Sequence, residues 1–201
     1  METQKNEVLD IIIIFVKACK KDKEHSFIED NGKKIWSAHY LLNQILRQYY
    51  IDDNHILVSK KAQELWTEIT NESSIKKFSY RNSVVAKTNK KINTYKGASS
   101  IPELSEIRIN EKFVWNDIFH DEHTIPISVI IKELCNLKEL DYESVGKVLD
   151  KIYICKMLKE EDRKIIQKHD RPASVIEVVE KIYNPNIEIC NWDEIQKGIK
   201  E

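Results

Sequence analysis

Apolar residues at helical spacing constrain this chain more than any other feature. Over residues 1–22, Val8, Ile11, Ile12, Phe15, Val16 and Cys19 recur every three or four positions, with Lys17, Lys20 and Lys21 toward the end. That pattern predicts an amphipathic helix whose cations lie near the negative end of its dipole. The spacing returns from about Ser37, with Tyr40, Leu41, Ile45, Leu46 and Tyr49, and again over 59–70, with Ala62, Leu65, Trp66 and Ile69. It recurs over 126–137 (Val129, Ile130, Leu134, Leu137), after Asp141 (Val145, Val148, Leu149, Ile152) and over 173–183. Turn signals separate these stretches at Asp30-Asn31-Gly32, Asp52-Asp53-Asn54, Tyr95–Ser100 and Asn184-Pro185-Asn186. Strand-like runs are few: weak alternation over 107–119, then Tyr153–Leu158 and Ile187–Cys190. The expected class is α+β, predominantly helical.

Composition bounds what such a chain can do. With 201 residues, 41% of them apolar, it can bury a real core. Four glycines and four prolines exclude a collagen-like chain, and the balanced charge excludes an acidic disordered tail. The cysteines Cys19, Cys135, Cys155 and Cys190 form no close pair, which argues against a cysteine zinc site and for reduced thiols in a cytoplasmic protein. The apolar run Ile11–Val16 is far too short to span a bilayer, so no membrane partner is expected.

Lys+Arg is 32 and Asp+Glu 33, a net charge of -1, so any phosphate-binding surface must be local. One stretch is one-sided: residues 76–96 hold six lysines and Arg81 without an Asp or Glu. Lys77, Lys90, Lys91 and Lys96 suit phosphates, Arg81 and Asn82 can read guanine and adenine edges, and Tyr80 adds an aromatic face. In a chain with 27 lysines a solvated basic face is the plainer account, and the five arginines are the more selective choices.

The densest polar cluster is His120-Asp121-Glu122-His123, followed by Thr124-Ile125-Pro126. Carboxylates and imidazoles are what a divalent cation takes, and an imidazole is the side chain best suited to accept a proton from water near neutrality. A second acidic run, Lys159-Glu160-Glu161-Asp162, follows the strand-like Tyr153–Leu158. By itself it reads as a favourable first turn of a helix.

The order Glu122-His123-Thr124-Ile125-Pro126, helical connection, strand 153–158, Lys159-Glu160-Glu161-Asp162 resembles the HNH, or ββα-metal, endonucleases, in particular the restriction-enzyme-like branch. The resemblance covers about residues 112–168. The central Asn and final His of the family motif have no clear counterpart. The resemblance implies a metal-dependent endonuclease that hydrolyses phosphodiester bonds, of the type II restriction kind. His123 would be the general base, and one Mg²⁺ or Mn²⁺ would be held by Glu122 and Glu161, with Glu160 and Asp162 as competing helical ligands. His120 and Asp121 would stand behind them, and Lys156, in the strand, would contact DNA. Double-stranded DNA would be the partner, and a palindromic target would imply a homodimer.

Two other readings stay open. One is a non-catalytic helical DNA- or partner-binding protein. The other is a different metallohydrolase with His120 and His123 both as ligands. The expected organisation is a helical recognition or scaffold region over 1–106, containing the basic stretch 76–96, and an HNH-like catalytic region with C-terminal helices over 107–201. His25, His39 and His55, and the tryptophans Trp36, Trp66, Trp115 and Trp192, read as structural.

Overall fold

The computed structural model describes residues 2–21, 28–30, 33–35, 37–49, 52–70, 72–76, 118–165 and 171–200. In chain order the elements are α1 (Glu2–Lys21), β1 (Ile28–Asp30), β2 (Lys33–Ile35), α2 (Ala38–Arg47), β3 (Ile56–Val58), α3 (Lys60–Thr70), β4 (Phe119–His123), α4 (Ile127–Asn136), α5 (Tyr142–Leu149), β5 (Ile154–Leu158), α6 (Lys159–Lys164), α7 (Val175–Val178) and α8 (Trp192–Lys200). A wider π turn, Val179–Tyr183, continues α7. The class is α+β with helices in the majority. Among the described residues no helix is long and apolar enough to cross a membrane.

The chain forms two compact units, neither contiguous in sequence. One comprises Met1–Tyr50, Ile125–Ile152 and His169–Val175, the other Ile51–Thr124, Tyr153–Lys168 and Ile176–Glu201. The sequence suggested one division, between 106 and 107. Instead, α4 and α5 are inserted between β4 and β5 yet belong with α1 and α2.

In the first unit α1 packs on α2, α4 and α5, and α2 and α5 each pack on α4. The buried stripe of α1 is Leu9, Ile12, Ile13, Val16 and Cys19, while Val8, Ile11 and Ile14 are exposed. The stripe is therefore rotated from the expected one. Six apolar residues in a row carry no phase, and the packing partners choose it. In α4 the buried set is Ile127, Ile130, Ile131 and Leu134, and in α5 it is Val145, Val148 and Leu149. Asp141 caps α5 by accepting from the Ser144 N–H at 2.8 Å. β1 and β2 pair antiparallel about the expected turn, Ile28 opposite Ile35.

The second unit is built on a three-stranded sheet ordered β3-β5-β4. β3 runs parallel to β5, and β4 antiparallel to it. The ladder between β4 and β5 is unbroken: Phe119 faces Leu158, His120 Met157, Asp121 Lys156, Glu122 Cys155 and His123 Ile154. Side chains alternate along each strand, so His120, Glu122, Cys155 and Met157 share one face, and Phe119, Asp121, His123, Ile154, Lys156 and Leu158 share the other. Trp66 of α3 meets Phe119 edge-on at 6.1 Å between ring centroids. The outer edge of β3 is capped by residues 188–191. The Asn191 side chain accepts from Val58 N–H at 2.9 Å and donates to Ile56 C=O at 2.8 Å. The expected strand at 187–190 is thus a single bridge, Ser59 to Ile189.

Candidate metal centre

The polar run His120–His123 lies almost wholly in β4, and strand geometry divides it. His120 and Glu122 are two apart and lie on the same face, with His120 Nε2 3.1 Å from Glu122 Oε2. Asp162, in the first turn of α6, joins them. One ligand atom from each of His120, Glu122 and Asp162 lies within 4.8 Å of the others. All three residues are partly exposed.

These separations suit a cation. Ligand bonds of ~2.1–2.4 Å place neighbouring ligand atoms ~3 Å apart and opposite ones ~4.2–4.8 Å apart. One imidazole nitrogen and two carboxylates are donors of the kind a divalent transition cation takes. The cluster groups Glu122 with His120, which was expected to stand behind it, and with Asp162, one of the competing helical acids.

Glu161 is placed differently from its neighbour. Its carboxylate is 1% exposed, accepts from Ser59 Oγ–H at 2.6 Å and accepts from Leu158 N–H at 3.0 Å. Burial raises its pKa above the ordinary carboxylate value, against the two hydrogen bonds, which pull it down. Glu160 is also largely buried, and its Oε1 lies 3.6 Å from Lys61 Nζ and 3.7 Å from Lys164 Nζ. Both carboxylates are thus engaged by protein groups, and Asp162 is the acid of this helix that joins the β4 pair.

His123 lies on the face opposite Glu122 and is buried. Glu122 and His123, one residue apart in an unbroken ladder, lie on opposite faces of the strand, and the close group of ligand atoms contains Glu122 and not His123. The same parity separates His123 from His120, which are three apart, and weighs against a site that uses both imidazoles. Asp121 and Lys156 face each other across the ladder with Nζ to Oδ1 at 3.1 Å, their side chains 12% and 6% exposed. Lys156 is an internal counter-ion here and not the DNA contact it was expected to be.

The buried Cys155 pairs with Glu122 in the ladder. Burial first, then the charges of Glu161 and Glu122, push its pKa well up. None of the four cysteines forms a disulfide. Of the basic stretch, Lys76 is described and pairs with Glu194 at 3.5 Å. Lys77, Tyr80, Arg81, Asn82, Lys90, Lys91 and Lys96 lie outside the described residues.

Ser59 is the site-adjacent residue that sequence reasoning passed over. A serine immediately before the helix at 60–70 is a recognisable N-cap, but no local signal links it to an acid 102 positions away. No family model, no curated protein and no solved structure matches this chain.

Proposed function

We propose that this protein is a divalent-metal-dependent endonuclease acting on double-stranded DNA, with a ligand set that departs from the HNH pattern its sequence resembles in leaving out His123. The observation that carries the proposal is the convergence of His120, Glu122 and Asp162 from an antiparallel strand pair and the helix that follows it. Glu122 and Asp162 would hold a divalent cation through carboxylate oxygens and His120 through a ring nitrogen, and the cation would supply charge stabilisation at the scissile phosphate.

His123, on the buried face, has no role in this proposal. The basic stretch 76–96 provides the cations for phosphate contact, and a palindromic target would be read by two copies of the chain, as in a type II restriction enzyme.

The test is cleavage of DNA of varied sequence, such as whole phage genomes, with Mn²⁺, with Mg²⁺ and with EDTA. Metal-dependent cleavage is expected, and His120→Ala or Asp162→Asn should slow it about a hundredfold or more, the rate equivalent of ~3 kcal/mol. A folded His123→Ala protein should cleave within about tenfold of the parent, a difference of ~1.4 kcal/mol. DNA binding without cleavage in either metal would overturn the proposal in favour of a non-catalytic binding protein. Cleavage that survives EDTA would also overturn it.

A further inference from the structure

Asp162 completes the candidate centre from a helix of six residues, too short to hold its own orientation. Two links fasten its start to the sheet. Lys159 N–H donates to Ile118 C=O at 2.8 Å, beside β4. On the far side, Glu161 is bound by Ser59. Ser59 is itself fixed from three directions. Its N–H donates to Lys156 C=O at 2.9 Å, its Oγ accepts from Ala62 N–H at 3.1 Å as the cap of α3, and its hydroxyl hydrogen goes to Glu161 Oε2 at 2.6 Å. The same carboxylate oxygen accepts from Leu158 N–H, where β5 turns into α6. Ser59 and Glu161 are 0% and 1% exposed.

From this we infer that Ser59 and Glu161 are a positioning pair for the metal centre: the buried hydroxyl–carboxylate bond sets the rotation of α6 and so aims Asp162 at His120 and Glu122. The inference rests on the metal-centre reading above. Its leverage is geometric. A carboxylate lies ~5–6 Å from its helix axis, so a turn of ~20° moves it ~2 Å. Metal–ligand distances tolerate only ~0.2 Å. Ser59 touches neither the cation nor the substrate. Glu161 is an internal acceptor and not a ligand.

The experiment is Mn²⁺ affinity by calorimetry on the full-length chain, with folding verified by circular dichroism. Ser59→Ala and Glu161→Ala should each weaken Mn²⁺ binding about tenfold, the low end for losing a group that orients a ligand. Glu161→Gln keeps an oxygen that accepts from both Ser59 and Leu158, so its affinity should stay within about threefold of the parent. Two results overturn the inference: parental affinity in Ser59→Ala, or a Glu161→Gln loss as large as that of Asp162→Asn, which would make Glu161 a ligand. If Ser59→Ala does not fold, the contrast between Glu161→Gln and Glu161→Ala decides. Failure of the metal centre itself is distinguishable, because then His120→Ala would bind Mn²⁺ no differently from the parent. If His120→Ala abolishes binding while Ser59→Ala leaves it intact, the centre stands and the positioning pair falls.

Discussion

Replacing Lys156 with methionine tests whether the pair it makes with Asp121 is internal. The two side chains face each other across the β4–β5 ladder at 3.1 Å and are 6% and 12% exposed. Methionine keeps the unbranched stem and its contacts but removes the ammonium. Asp121 is then left as a nearly buried carboxylate without its counter-ion, which costs about 3–5 kcal/mol when one partner of a buried pair is deleted. The residual solvent access of Asp121 favours the low end, about 3 kcal/mol. With a urea slope of ~2 kcal/mol/M, the unfolding midpoint should fall by ~1.5 M. Removing both charges, as Asp121→Leu with Lys156→Met, should recover most of that loss, giving a coupling of ~2 kcal/mol in a double-mutant cycle. Trp66, whose ring lies against Phe119 beside the same strands, contributes to the fluorescence that follows unfolding of this unit. A Lys156→Met midpoint within ~0.5 M of the parent, together with weakened DNA binding, would refute the reasoning. It would return Lys156 to the surface role its sequence context suggested.

Two further outcomes follow from the described geometry. Asn191→Ala removes the acceptor of Val58 N–H and the donor to Ile56 C=O, so it should cost about 1–3 kcal/mol in urea unfolding, and an unchanged midpoint would show that water replaces the amide at the β3 edge. Asp141 has its pKa lowered, first by the Ser144 N–H, from an ordinary value of 3.8. A folded-state value below the unfolded one means that its contribution is complete above 3.8 and disappears as pH falls through the folded value. Asp141→Ala should therefore melt below the parent at pH 7, with the gap closing below pH 3.8, and a pH-independent gap would contradict the capping account.

Helix existence was largely legible because it is a local property. The stretch after Asp141 showed its cap and its buried face, Val145, Val148 and Leu149, in neighbouring residues. Helix phase was less so. The contiguous run from Ile11 to Val16 fits several stripes, and α2, α4 and α5 select the one that buries Leu9, Ile12, Ile13 and Val16. β3 was missed because Ile56-Leu57-Val58 is too short to show a period. It exists through pairing with a strand about a hundred positions away, and through the Asn191 amide on its other side. α8 also went unassigned, although Asp193 and Glu194 in its first turn were a usable start signal.

The candidate site was half legible for a more specific reason. Composition marks His120–His123 as a cluster, but a strand sends neighbouring side chains to opposite faces, so the four adjacent polar residues divide between two faces. Glu122 and His123 fall on opposite faces, since the five successive pairs from Phe119–Leu158 to His123–Ile154 contain no break. Parity leaves two groupings. One is His120 with Glu122. The other is Asp121 with His123, on the face where Lys156 neutralises the acid. The same logic sorts the helical acids. Glu160, Glu161 and Asp162 are successive positions about 100° apart, so one helix turn aims them in three directions. Lys61 and Lys164 take the first, Ser59 the second, and the β4 pair the third. Which acid joins the β4 pair therefore depends on where β3 ends and α3 begins, since that junction supplies Ser59. A sequence reading confined to residues 112–168 could not contain the deciding group.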